Sequence, residues 1–149
     1  SSDVCSSDLR EFTSSLVNFD RSRLYNLFWE KFSGPVRVLI ENKFVFDRFW
    51  EFNRGDVEDY LPAFYKSIEK AHNCLSKQDI EGLMEIVLER LYILRNSIIH
   101  GGASYNSSLN RKQLTDACNI LHFLVPIIID IMIENSQHNW GEIAYPVVK

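Results

Sequence analysis

Apolar residues recur every three or four positions between Ile80 and Ile99, which is the period of one face of an α-helix. This is the clearest stripe in the chain, and it comprises Leu83, Met84, Val87, Leu88, Leu91, Leu94 and Ile98. It predicts a helix that ends before Gly101 and Gly102, because glycine adopts the left-handed conformation after a helix without a steric penalty.

Shorter stripes predict four more helices. The first helix is expected to begin at residue 19 or 21 and to end at 32, and the second to span residues 36–52. The third is expected to begin at a cap, Asp56 or Asp59, and to reach Leu75. The last is expected to begin at Ser108 or Asn110 and to end at Glu134. Within the second of these helices, a strand over residues 43–46 is an open alternative. Pro126 predicts a kink in the last helix. The apolar run 120–133 is short and interrupted, so it predicts a buried helix rather than a membrane span. Short connections between about five helices favour an all-α, antiparallel up-down bundle.

The first nine residues differ from the rest of the chain. They contain a near repeat, Ser-Ser-Asp-Val followed by Ser-Ser-Asp-Leu, and resemble a translated sequencing adapter. We therefore expect residues 1–9 to be foreign to the fold and to make no core contacts. The natural protein is expected to begin further upstream, with residues 10–149 forming one domain.

Composition narrows the classes of function. The net charge of −4 argues against a broad basic surface for duplex DNA. Three cysteines without paired spacing suit a reducing, cytoplasmic setting, and Cys118 is expected in the core. Neither a metal-ligand spacing nor a nucleotide-binding glycine loop is present, so we expect no metal, no cofactor and no membrane partner.

The end of the predicted helix over Ile80–Ile99 carries the chemistry. Arg95 offers a planar fork of donors for phosphate, and His100 can move protons near neutral pH. Asn96 and His100 share a helix face with Ile86 and Ile93, whereas Arg95 lies roughly 140° from His100. This second, partly apolar stripe predicts contact with a second subunit, because a lone chain would leave both isoleucines exposed.

Purely structural roles are also open for these residues. Arg95 could pair with Glu85 or Glu89, and His100 could be a cation favoured by the negative end of the helix dipole. Spacing alone favours these structural roles. The amide at Asn96 and the glycine stop strengthen the catalytic interpretation.

The pattern Arg95-Asn96-x3-His100 resembles the Arg-polar-x3-His signature of HEPN domains. Residues 91–103 and 106–111, together with Trp140-Gly141 and residues 145–148, resemble the Apea-like branch of that family. The resemblance extends from about Arg21 to the end of the chain, and residues 91–111 are its most specific part.

This resemblance implies a helical bundle that commonly dimerises. Many members are metal-independent endoribonucleases of toxin–antitoxin, abortive-infection and other anti-phage systems. By resemblance, Arg95 would stabilise the pentacoordinate phosphate, His100 would transfer protons, and Asn96 would orient His100 or a phosphate oxygen. The implied partners are RNA, a second copy, and an antitoxin or other defence protein. Catalytically inactive members, which bind nucleotide, RNA or a partner protein, give the alternative.

Three more residues are candidates for substrate binding. Tyr105 corresponds to a loop aromatic of the family and could stack on a base. Arg111 and Lys112 could add positive charge beside the motif, and an ordinary role as solvated first-turn residues is equally compatible with the sequence.

Overall fold

A computed structural model describes the backbone of residues 2–99 and 108–141, and within it the side chains of residues 7–96 and 111–141. Over these ranges the chain is all-helical. The α-helices are α1 (Ser2–Phe19), α2 (Arg21–Tyr25), α3 (Ser33–Ile40), α4 (Asp47–Asn53), α5 (Leu61–Lys77), α6 (Ile80–Ile99) and α7 (Ser108–Glu134). A π-helical turn spans Asn26–Lys31 and a 3-10 turn spans Lys43–Val45.

The predicted helix over residues 36–52 is wrong as one element. It is divided into α3, the 3-10 turn and α4, and no strand forms over residues 43–46. Asn42 causes the break, because its side-chain oxygen accepts a hydrogen bond from the amide of Phe44 at 3.0 Å. An asparagine side chain that bonds to nearby backbone competes with helical hydrogen bonds. Neither predicted cap is the N-cap of α5, which is Tyr60; Asp59, one residue earlier, accepts a hydrogen bond from the amide of Leu61 at 3.1 Å.

Helix α1 was not predicted, and it supplies part of the core. Leu16 and Val17 are buried, and Phe12 packs against the same cluster. Residues 2–9 continue this helix, in contrast to the expectation that they stand apart from the fold. Among the described side chains of α1, Phe12 is the first that packs on the core cluster, and Arg10 makes an ion pair with Glu85 of α6.

Helix α6 lies at the centre, and its neighbours cover it from several sides. Ser14 of α1 contacts Glu81, while Arg10 contacts Glu85 at 3.5 Å, so α1 runs opposite to α6. The hairpin from α5 into α6 turns at Gln78, whose φ of 56° is left-handed. Helix α6 contacts most of the other elements, and Leu91 and Leu94 are buried one turn before the motif.

Helix α7 is only partly buried, which differs from the buried helix predicted for residues 120–133. Ile120, Leu124 and Ile131 face the core, while neighbouring apolar side chains are exposed. Cys118, expected in the core, is also exposed. By length and composition alone, residues 111–134 could cross a membrane, but their core-facing side packs on α1, α2 and α3. The fold is therefore compatible with a soluble protein.

The segment after α7 returns to α1. Trp140 donates from its ring nitrogen to the carbonyl oxygen of Asn135 at 3.0 Å. Its ring lies 6.0 Å from that of Phe12 and 5.5 Å from that of Phe19, between ring centroids. His138 contacts Ser15 at 3.2 Å. The predicted extended tail over residues 138–149 lies, from residue 142 onward, outside the described residues.

Candidate functional site

The two motif residues with described side chains form one unit near the end of α6. Arg95 is exposed, and its Nη1 donates a hydrogen bond to Oδ1 of Asn96 at 3.1 Å. This bond uses one of the five donor hydrogens of the guanidinium. His100 and Tyr105 lie outside the described residues. The predicted role of Asn96 in orienting His100 is therefore untested, and the described partner of Asn96 is Arg95.

The structural ion pair considered for Arg95 is not formed with any described residue. Glu85 instead pairs with Arg10 of α1. Burial raises the pKa of Glu89, and the nearby charge of Asp47 acts in the same direction. Among the described residues, Arg95 therefore forms an ion pair with neither of the two carboxylates considered for it in the sequence.

The expectation that Ile86 and Ile93 are exposed on a lone chain is wrong. Both are buried within the monomer, at 7% and 9% exposure. They lie on one helix face with Gly82 and Arg90, and this face packs on α5. A Cβ added at Gly82 would lie 2.7 Å from Sγ of Cys74, and Arg90 donates to Ser67 at 2.8 Å. The apolar part of the second stripe is consequently core, and it requires no second subunit.

Arg111 and Lys112 are exposed in the first turns of α7. Arg111 contributes its carbonyl oxygen to a hydrogen bond from the Thr115 hydroxyl at 2.8 Å, and no ion pair with a described residue neutralises either cation.

Tyr92 is a candidate that the sequence analysis did not identify. It lies three residues before Arg95 and four before Asn96, so the three share a helix face. Its side chain is 61% exposed, which is unusual for an aromatic residue within so apolar a helix. The signal was present in the sequence, because Tyr92 falls outside the apolar stripe of α6.

One turn deeper, Arg90 is almost completely buried, with 2% exposure. Its Nη2 donates to the Ser67 hydroxyl at 2.8 Å and to the carbonyl of Ile40 at 3.4 Å. The guanidinium carbon lies 5.0 Å from the centre of the Phe46 ring, while Nε has no hydrogen-bond partner. Burial lowers the pKa of Arg90, which the charges of Glu89 and Asp47 oppose. This arginine joins α6 to α5 and α3 and is closed to solvent.

Among the described side chains, no three His, Cys, Asp or Glu residues are grouped as a metal site would require. Comparisons with known proteins give no family to place beside this geometry. No family model, curated protein or solved structure matches the chain.

Proposed function

We propose that this protein is a metal-independent endoribonuclease built on a HEPN-type, up-down helical bundle. It acts as a cytoplasmic homodimer in an anti-phage or toxin–antitoxin system, where an antitoxin or another defence protein restrains it. The observation that supports this proposal best is the exposed Arg95, paired with Asn96 at the end of α6 and with no described carboxylate partner.

The proposed reaction is an internal transfer at phosphorus. The 2′-oxygen of the substrate attacks the adjacent phosphorus, and the bond from phosphorus to the 5′-oxygen breaks. His100 takes the proton from the 2′-hydroxyl or delivers one to the leaving 5′-oxygen. Arg95 stabilises the extra negative charge on the phosphoryl oxygens as the pentacoordinate state forms. The products are a 2′,3′-cyclic phosphate and a free 5′-hydroxyl.

The hydrogen bond between Arg95 and Asn96 gives the amide a defined role in this proposal. A free arginine side chain on a helix surface samples many rotamers, and binding a phosphate would restrict them at an entropic cost. Holding one Nη atom on the neighbouring amide removes part of that freedom in advance. Asn96 is thus a positioning residue for Arg95.

The exposed ring of Tyr92 adds a surface for a base next to the phosphate site. Single-stranded RNA is commonly held by stacking on aromatic side chains, which tolerates many sequences. A net negative chain needs such local, non-ionic contacts, because its overall field repels RNA. Arg111, Lys112 and Tyr105 remain further candidates for substrate contact.

The experiment is cleavage of a labelled single-stranded RNA, compared between the protein and matched variants. We expect His100→Ala and Arg95→Lys to lower the rate by about two to four orders of magnitude. The matched controls are His72→Ala and Arg21→Lys. His72 contacts Glu41 at 3.3 Å, and Arg21 bonds to the carbonyl of Gln78, which precedes Arg95 by about 25 Å along the helix axis at 1.5 Å per residue. Both controls should cleave normally.

Two chemical tests separate this mechanism from others. Cleavage should persist in EDTA, and a substrate with a 2′-deoxy sugar at the cleaved position should resist. If folded protein cleaves no RNA but binds nucleotide, RNA or a partner protein, the enzymatic proposal fails and an inactive binding module replaces it. Cleavage that is unchanged in His100→Ala would remove the motif from the mechanism.

A further inference from the structure

The helix surface around Tyr92 carries groups that can distinguish one RNA base from another. Stacking on the ring cannot do so, because every base has an aromatic face. Residues three or four positions apart on a helix have Cβ atoms about 5–6 Å apart. The polar neighbours of Tyr92 along α6 are therefore Glu89, three residues before it, and Arg95 and Asn96, three and four residues after it.

These side chains form an ordered row along α6. A carboxylate lies one turn before the ring and a guanidinium lies one turn after it, so Glu89 and Arg95 are about 9 Å apart along the helix axis. All three are exposed, and the exposed fraction of Tyr92 is 61%. We call Glu89, Tyr92, Arg95 and Asn96 the α6 row. A nucleotide presents its groups in a matching order, with the polar edge of the base, then its aromatic face, then a phosphate.

The two charges give the α6 row a direction. A phosphate is attracted by Arg95 and repelled by Glu89, so it occupies the Arg95 end of the row. A base that stacks on Tyr92 then turns its polar edge toward Glu89. Because an ionised carboxylate accepts hydrogen bonds and donates none, Glu89 fits a base whose edge donates.

Glu89 is free to accept such donors. Glu85, one turn earlier, is engaged by Arg10 of α1 at 3.5 Å, whereas no described residue forms an ion pair with Glu89. The Glu89 side chain reaches solvent, but protein atoms around its carboxyl group remove part of its water, which raises its pKa. A carboxylate that has already lost part of its water loses less when the donors of a base replace the rest.

Guanine is the base that matches this acceptor. Its Watson–Crick edge carries two adjacent donors, N1–H and the 2-amino group, which can meet the two oxygens of one carboxylate. Adenine and cytosine place one amino donor beside a ring nitrogen with a lone pair, and uracil flanks its N3–H with carbonyl oxygens. These lone pairs would face the carboxylate and be repelled by it, which disfavours the other three bases.

We propose that Glu89 is a specificity-determining residue that selects a guanosine adjoining the phosphate held by Arg95. The inference rests on the proposed function for the reaction at that phosphate. Selection of the base is a property of binding, however, and it can be measured where no reaction occurs.

The first test is isothermal titration calorimetry of the complete chain with tetranucleotides that cannot be cleaved. Their sugars are 2′-fluoro, so no 2′-hydroxyl is present to attack phosphorus. One position carries guanine, hypoxanthine, adenine or cytosine, and the others carry uracil. We expect guanine to bind about 10- to 100-fold more tightly than adenine or cytosine, the discrimination typical of a bidentate pair. Hypoxanthine lacks only the 2-amino group and should lie between them.

The second test uses variants of the α6 row. Glu89→Gln replaces one acceptor by a donor at nearly constant size, so the preference for guanine should disappear. The matched control is Glu85→Gln, which removes the same charge from the same helix about 10 Å from Tyr92 along the axis and should keep the preference. Tyr92→Leu should weaken all four ligands by a similar factor, because stacking does not depend on the base. Circular dichroism checks that each variant is folded.

Four results would overturn the inference. These are binding of none of the tetranucleotides, equal affinity for the four bases, preference for a base other than guanine, and a guanine preference that survives in Glu89→Gln. The first three need no variant. A protein that prefers guanine but cleaves no RNA would refute the proposed function and leave the role of Glu89 standing. A protein that cleaves RNA beside all bases alike would do the reverse.

Discussion

Replacing Arg90 by methionine should make the protein more stable, although it removes two hydrogen bonds. The guanidinium is 2% exposed, and no carboxylate among the described residues forms an ion pair with it. Burying a single charge costs several kcal/mol even after the surroundings relax. The unpartnered Nε adds about 1–3 kcal/mol to that cost.

The contacts that offset this cost are fewer. A hydrogen bond from a charged donor contributes about 1.5–3 kcal/mol, which applies to the 2.8 Å bond to the Ser67 hydroxyl, while the 3.4 Å bond to the Ile40 carbonyl is long and contributes less. The contact with the Phe46 ring contributes up to about 2 kcal/mol. Methionine keeps the long unbranched stem and fills irregular space well. We therefore expect Arg90→Met to raise the free energy of unfolding by about 1–3 kcal/mol, which is about 2–10 °C in melting temperature for a chain of this size.

Urea unfolding followed by circular dichroism measures this effect, provided that the slope with denaturant stays constant. Arg90→Ala serves as the comparison and should be about 2–4 kcal/mol less stable than Arg90→Met, because it leaves a cavity. Ser67→Ala should lower the free energy of unfolding by about 1–3 kcal/mol in the natural chain, because it leaves the buried Arg90 donor without its acceptor. In Arg90→Met that donor is absent, so the same change should have little effect.

The effect should not depend on pH across the neutral range. Burial lowers the pKa of Arg90 in the folded state relative to the unfolded chain, so the unfavourable contribution is full while arginine is charged in both states. It would lessen only as pH rose through that lowered pKa. If Arg90→Met lowers stability by more than about 1 kcal/mol, the guanidinium is a net stabiliser and this reasoning is wrong.

Three further predictions concern other parts of the fold. Gly82→Ala should lower the melting temperature by several degrees, although alanine favours helices by about 1 kcal/mol, because the new Cβ would lie 2.6 Å from a capping carboxylate oxygen. Asp20→Asn keeps a helix-capping oxygen but loses the charge that faces Arg23. Burial raises the pKa of Asp20, but the hydrogen bonds and the charge of Arg23 outweigh it, so that the pKa is lowered overall. The stability advantage of Asp20 over asparagine should thus be complete near neutral pH and vanish as pH falls through the lowered pKa, as acid titration of both proteins would show. Deleting residues 1–9 should shift the melting temperature by less than about 2 °C, since the described core contacts begin later in α1; a larger loss would assign those residues to the fold.

The sequence predicts some elements better than others for physical reasons. The apolar stripe of α6 is strong enough to fix both the helix and its end, because six or more positions agree on one period. The division of the second predicted helix could not be read in the same way. It depends on one hydrogen bond from the Asn42 side chain, and asparagine is also compatible with a helix surface.

The candidate site shows a similar limit. The motif at Arg95 and Asn96 is visible in the sequence because its residue types are unusual at a helix end. Periodicity predicted that Ile86 and Ile93 form a second apolar face, but it could not identify what covers them. The covering helix is α5, which approaches closely because Gly82 has no side chain. Likewise, an apolar stripe on α7 predicts a contact without showing whether the partner belongs to the same chain.

The return of Trp140 to α1 has a consequence for the order in which the chain folds. The contact between His138 and Ser15 joins residues 123 positions apart, and the hydrogen bond between Ser14 and Glu81 spans 67. Helix α5 and helix α6, by contrast, are consecutive and meet through a tight turn. During synthesis the first helix therefore leaves the ribosome long before any surface exists to cover its apolar face. It remains a candidate for chaperone binding until α6, and finally the segment around Trp140, has been made.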